Sequence, residues 1–161
     1  MLLRPAIPAD IPCIIDLERL PESRLFVGQW SEERHQQTMT GGDARYYVCE
    51  AEAGCIQAFA LLRGLREISR SIELKRIVIA TPGCGLGRQI LEELMCIAFD
   101  EIKAHRLFLD VFENNTRARH LYESLGFLYE GTLRDAAFRD GEFYTLRLMS
   151  MLDREYAARK P

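Results

Sequence analysis

The stretch between Ser71 and Lys103 constrains this chain most. The β-branched run Ile77-Val78-Ile79 closes a strand expected over Ser71–Ala80. The turn Thr81-Pro82-Gly83-Cys84-Gly85-Leu86-Gly87 follows, with three glycines at alternate positions. A long helix then leaves it, with Leu86, Ile90, Leu94 and Ile97 on one face, and is expected to end near Lys103. A strand feeding an amphipathic helix through so tight a turn is one unit of a mixed α/β domain. Glycine lets the backbone approach a ligand closely, and a helix start offers unpaired N–H groups at the positive end of its dipole. The turn therefore suits a phosphate or pyrophosphate. The pattern G-x-x-x-x-G-K-S/T is absent, which disfavours nucleotide hydrolysis of that type. A dinucleotide fingerprint starting at Gly83 needs glycine where Arg88 stands, and the turn lies mid-chain after a hairpin.

Around this unit the other elements can be read from periodicity. Leu2–Ala6 is a short first strand. Asp10 is expected to cap a helix bearing Ile11, Ile14, Ile15 and Leu17, which ends near Leu20-Pro21. Residues 21–30 are irregular, and Ser31–Met39 is a more polar helix stopped at Gly41-Gly42-Asp43. Tyr46–Ala51 and Cys55–Arg63 form a hairpin joined near Gly54. Arg106–Phe112 alternates as a strand, and Asn114-Asn115-Thr116 opens a helix closed by Gly126. Strands near 127–138 and 142–152 turn at Arg139-Asp140-Gly141. The expected class is α/β (α+β), with a mixed, mainly antiparallel sheet of about seven strands and about four flanking helices.

Size and composition exclude several functions. The 161 residues fit one domain, 1–161, with 48% apolar and 28% charged residues, a soluble balance. A net charge of −3 argues against sequence-independent nucleic-acid binding. No apolar run reaches the length of a membrane span, and the opening Met1-Leu2-Leu3-Arg4-Pro5 does not read as a signal peptide. The five cysteines, Cys13, Cys49, Cys55, Cys84 and Cys96, include no C-x-x-C pair, so the expectation is a cytoplasmic chain without disulfide or metal. His35, His105 and His120 show no metal-ligand spacing, and Arg63, Arg66, Arg70 and Arg76 read as solvated.

A second motif lies about thirty residues beyond the turn. Asn115-Thr116-Arg117-Ala118-Arg119-His120-Leu121-Tyr122-Glu123-Ser124-Leu125-Gly126-Phe127 places Asn115 at a helix start and Tyr122 two turns in. Together, the glycine turn and N-x-x-A-x-x-L-Y-x-x-x-G-F resemble the GCN5-related N-acetyltransferase superfamily. The tail Glu130-Gly131-Thr132-Leu133-Arg134-Asp135 with Gly141-Glu142-Phe143 is similar to its subgroup related to ribosomal-protein N-terminal acetyltransferases.

The resemblance implies a direct transfer of the acetyl group of acetyl-CoA to a primary amine within a ternary complex. It implies that Gly83, Cys84, Gly85, Leu86, Gly87 and Arg88 hold the coenzyme pyrophosphate. Ile77 and Ile79 would meet the pantetheine arm through their backbone, and Asn115 would approach the coenzyme from the other side. Tyr122 matches the general acid and Glu73 a base acting through water. Pro82 departs from the family's Gln or Arg and offers no N–H. Positioning the two reactants can supply roughly 7–11 kcal/mol of the barrier. A phenol with a pKa of about 10 is protonated at neutral pH and can donate to a departing thiolate.

The acceptor is expected to be a peptide N-terminus or a small amine. Phe26 and Trp30 are candidate walls of its pocket, and Glu22, Glu32 and Glu33 are carboxylates suited to a polyamine. The expected partners are that amine-bearing small molecule or peptide and a second copy in a homodimer, without nucleic acid or membrane. The competing class is a catalytically silent acyl-CoA-binding sensor or interaction module, which Pro82 favours and Tyr122 with Glu73 disfavours.

Overall fold

Successive side chains of a strand point to opposite faces, so a sheet built from these strands needs cover on both sides. The computed structural model describes residues 2–51 and 54–159. Strands β1 (Leu3–Pro5), β2 (Ala44–Glu50), β3 (Ile56–Arg63), β4 (Ser71–Ile79), β5 (Arg106–Phe112), β6 (Leu128–Arg139) and β7 (Glu142–Leu152) form one sheet. Its order is β1-β2-β3-β4-β5-β7-β6, antiparallel throughout except between β4 and β5. Helices α1 (Ile11–Glu18) and α2 (Glu32–Thr40) lie on one face. Helices α3 (Leu86–Cys96), α4 (Thr116–Ser124) and α5 (Asp153–Ala157) lie on the other.

The alternation is clean where the strands are regular. Tyr46, Val48, Phe59 and Leu61 pack with Ile14 and Leu17 of α1. Tyr47, Cys49, Ala58, Ala60 and Leu62 pack with Ile90, Leu91 and Leu94 of α3. Leu94 is fully buried in that second cluster. We predict that Leu94→Ala lowers the unfolding free energy by about 3 kcal/mol in urea titration, the scale of lost transfer energy plus a residual cavity.

Several expectations need correction. Asp10 does not cap α1 through its side chain. Its carboxylate instead accepts the Ile7 N–H at 2.8 Å and pairs with Arg4 at 2.8 Å, closing a short 3₁₀ turn over Pro8–Asp10. The helix leaving the glycine turn does not run regularly to Lys103. It is α-helical to Cys96 and widens into a π turn over Ile97–Glu101. A fifth helix, α5, follows β7 and was not anticipated. The first-hairpin connection contains residues 52 and 53, which lie outside the described residues. The second hairpin turns as expected, with positive φ at Asp140 (48°) and Gly141 (85°).

An irregularity in β4 shapes the centre of the sheet. Leu62 pairs with Leu74 but Leu61 pairs with Arg76, so Lys75 is an extra residue. Such a bulge bends its strand and shifts the alternation. Ile72 and Leu74 face α3 before it, and Ile77 and Ile79 join the same side after it. Arg76 and Val78 are thereby turned towards α1 and α2.

Candidate active site

Pairing between β4 and β5 is confined to Ser71–Arg106, Ile72–Leu107 and Glu73–Phe108. Beyond Glu73 the bulge carries β4 away, while β5 stays paired with β7 through Phe112. The gap opens into a cavity of about 380 Å³. Its lining includes Ile77, Ile79, the three glycines of the turn, Asp110, Asn115 and Tyr122.

The glycine turn enters from the α3 side. Gly85 is the N-cap of α3 at φ 83°, a left-handed conformation that glycine adopts without penalty. A Cβ at Gly83 or Gly85 would meet nothing within 4 Å, so the protein leaves open space against these backbones. Gly87 is different: its Cβ would lie 3.0 Å from Ile79 Cδ1 and 3.4 Å from Leu121 Cδ2, so α3 packs closely on β4 and α4 there and a larger residue would push these side chains aside. Among the described residues, no backbone acceptor takes the N–H groups of residues 83–87. These orphan donors at a helix start, with space in front of them, fit the diphosphate of a coenzyme. Arg88 stands beside them, its Nη2 2.6 Å from Ser124 Oγ. Cys84 and Leu86 belong to the turn but are not in the cavity wall. Cys84 Sγ bonds Thr81 O at 3.2 Å, and Leu86 packs on the core.

Asn115 caps α4, its Oδ1 accepting the Ala118 N–H at 3.2 Å, and it also lines the cavity. Tyr122 sits two turns further on, 6% exposed, with Phe127 edge-on at 5.8 Å. The helix ends at Gly126, with Phe127 N–H on Tyr122 O at 3.0 Å. Burial, and then the charge of Asp110, push the Tyr122 hydroxyl well above the ordinary phenol value, so it holds its proton throughout the neutral range.

Glu73 is placed less openly. It ends the paired part of β4, bonds Arg63 Nε and lies 3.3 Å from Lys75 Nζ, and it is not in the cavity wall. The carboxylate that does line the cavity is Asp110, which periodicity alone did not single out. It is accessible from the cleft, yet the surrounding walls strip enough water to raise its pKa, with Lys75 opposing and Glu73 assisting. The available signal was positional: Asp110 alternates with the buried Leu109 and Val111 on a central strand.

The acceptor-side expectations divide. Glu22 and Phe26 line the cavity, and Phe26 meets Phe112 edge-on at 5.6 Å. Trp30, Glu32 and Glu33 do not line it. Arg76, expected in solvent, is instead 5% exposed, because the bulge at Lys75 turns it towards Glu18. His35 is fully buried, while His105 pairs with Asp153 at 3.0 Å. Among the described residues, no three His, Cys, Asp or Glu side chains are grouped to hold a metal, and no helix is long and apolar enough to cross a membrane.

The cavity thus has two chemically distinct sides. The α3 and α4 side carries free amides with Arg88 and Arg117, and the opposite side carries Asp110 and Glu22 together with Lys75 and Arg76; among the described residues neither Asp110 nor Glu22 is in an ion pair, while Arg76 is held by Glu18. Tyr122 and Asp110 reach the gap from opposite faces of the sheet.

Comparison with known proteins agrees with this architecture. The model of the Acetyltransferase (GNAT) family matches residues 14–127. Spermidine N(1)-acetyltransferase of Vibrio cholerae is 26% identical over 156 residues, covering 89% of each chain. A Bacillus subtilis protein named as a ribosomal N-acetyltransferase, YdaF, is 27% identical over 165 residues, covering 90% of each. The crystal structure of spermidine N-acetyltransferase from Vibrio cholerae with CoA and spermine superposes with a TM-score of 0.86 at 25% identity, covering 96% of both chains. The chain belongs to the GNAT family of acetyltransferases and is an acetyl-CoA-dependent N-acetyltransferase.

Proposed function

We propose that this enzyme acetylates a small alkyl amine carrying a second positive charge, of the polyamine class. The observation that carries this reading is that two carboxylates lining the cavity, Asp110 and Glu22, take part in no ion pair among the described residues. An alkyl amine with a pKa of about 10.4 arrives protonated and is drawn to such a wall. Spermidine acetylation in the relatives supports the same class.

The residues divide the work as follows. The amides of residues 83–87, with Arg88, hold the diphosphate, and the backbones of Ile77 and Ile79 with Asn115 guide the arm into the gap. Acetyl-CoA, when bound, supplies an activated thioester. Asp110 accepts an N–H of the incoming amine and takes its proton, a task to which its raised pKa is suited. Glu73 acts indirectly, because its charge helps keep the Asp110 pKa up while Arg63 and Lys75 hold it in place. Tyr122 keeps a proton on its hydroxyl for the departing sulfur.

A peptide N-terminus is the second reading, favoured by the likeness to YdaF. One experiment separates these readings: incubate the protein with acetyl-CoA and spermidine, spermine or an α-amino peptide, and follow free thiol. We expect release with the polyamines to exceed release with the peptide. Greater release with the peptide overturns the polyamine reading. No thiol release from any of the three overturns both readings of the acceptor.

Asp110→Asn is expected to lower kcat/KM about 100-fold, the lower end of general-base effects. The sign of the pH dependence follows from the raised pKa. The wild-type rate falls as pH drops through the Asp110 pKa, at a pH above the ordinary aspartate value, and the variant loses that acidic limb. The same shift means that the Asp110 charge opposes folding above the unfolded aspartate pKa, and this cost is relieved on acidification. Asp110→Asn therefore melts at or above the wild-type temperature at pH 7, which calorimetry reads.

A further inference from the structure

The segment between α1 and α2 is a loop whose two ends meet on one buried ion pair. Residues 20–27 contain only turns, such as Ser23 N–H on Leu20 O (2.9 Å) and Val27 N–H on Ser23 O (3.0 Å). This stretch brings Glu22, Ser23, Phe26 and Val27 to the cavity. Its closing residues return to Glu18, where the chain left α1. Gln29 Nε2 donates to Glu18 O at 2.7 Å, and the Trp30 N–H donates to Glu18 Oε2 at 3.3 Å.

Arg76, turned to this face by the bulge at Lys75, completes the neck. Its Nη1 donates both to Glu18 Oε1 and to Gly28 O, and its guanidinium lies 4.0 Å from the Trp30 ring centroid. The side chains of Glu18 and Arg76 are 1% and 4% exposed. His35 Nε2 of α2 reaches the same Glu18 oxygen at 3.3 Å. On its outer side the loop makes an exposed pair, Arg24–Asp140 at 3.0 Å, of a kind that contributes little. Compact loops with pinned ends commonly carry function.

We propose that Arg76 is a positioning residue for the acceptor: it locks the neck of the loop and thereby sets where Glu22 and Phe26 stand in the cavity. The proposal rests on the reading of this wall as the acceptor side. Lysine does not reproduce Arg76 here, because its compact ammonium lacks the guanidinium that lies over the Trp30 ring while one of its nitrogens bonds Glu18 and Gly28. The neck can also be disturbed from the loop. A Cβ at Gly28 would lie 3.2 Å from Arg76 Nη2 and 3.4 Å from Arg139 Nη2.

The test uses Arg76→Lys and the milder Gly28→Ala, which guards against a variant that fails to fold. We expect both to raise the polyamine KM, about tenfold for Arg76→Lys, with kcat within about threefold and acetyl-CoA affinity within about twofold of wild type. Trypsin should also cut after Arg24, which is exposed within the loop, several times faster. A purely structural loss would instead weaken coenzyme and amine together. An unchanged KM in both variants, or an equal loss of acetyl-CoA affinity, overturns the proposal. If no amine supports thiol release, the acceptor reading fails by itself and the trypsin arm decides: faster cleavage supports the neck lock, and unchanged cleavage overturns it.

Discussion

Gly85→Val is expected to raise the Kd for acetyl-CoA about 100-fold or more while the protein stays folded. Two features of the site lead to this. Position 85 has φ 83°, where a β-branched residue costs roughly 1–3 kcal/mol. The space in front of it is otherwise open, since an added Cβ would meet no protein atom within 4 Å. A side chain there collides with little of the protein and occupies the volume the diphosphate needs. Titration calorimetry with acetyl-CoA reads the affinity, and circular dichroism checks the fold. Gly85→Ala should fall between valine and wild type, because it carries most of the strain and less of the bulk. Affinity retained by a folded Gly85→Val removes the turn as the phosphate cradle.

Tyr122→Phe is expected to lower the single-turnover rate about 100-fold at pH 7, the lower end of general-acid effects, with acetyl-CoA affinity unchanged. Stability should barely change, because among the described residues the hydroxyl makes no hydrogen bond that the substitution would break, and the ring keeps its edge contact with Phe127. Because burial pushes the Tyr122 pKa well up, wild-type turnover should show no alkaline fall from this group below pH 10. Rapid-quench measurement with saturating polyamine reads the step directly. An unchanged rate removes Tyr122 as the proton source and leaves its ring as packing.

Much of the fold was legible in the chain because local and global signals agree. The glycine turn, the Asp140-Gly141 hairpin and the N-x-x-A-x-x-L-Y helix each rest on backbone requirements that few residue types meet. The misreadings came where a local signal had a competitor. Asp10 carries a capping residue type, but Arg4 and the Ile7 N–H hold its carboxylate. Apolar spacing continues past Cys96, yet spacing does not distinguish an α turn from a π turn.

The two sides of the site differ in the same way. The proposed diphosphate cradle is written as contiguous sequence, since its groups are backbone amides of one turn with Arg88 beside them. The proposed acceptor wall is assembled from residues far apart in the chain: Glu22, Arg76 and Asp110. Whether Asp110 faces solvent or a cavity depends on β5 parting from β4, and that depends on one extra residue at Lys75. The same bulge reverses which face Arg76 occupies, so an arginine that strand periodicity leaves in solvent becomes the buried partner of Glu18. By itself, then, the sequence determined the class of fold and the glycine turn at a helix start, because both depend on neighbouring residues. Only the tertiary structure decided which charges line the cavity, because side-chain facing and strand separation are set by register between distant segments.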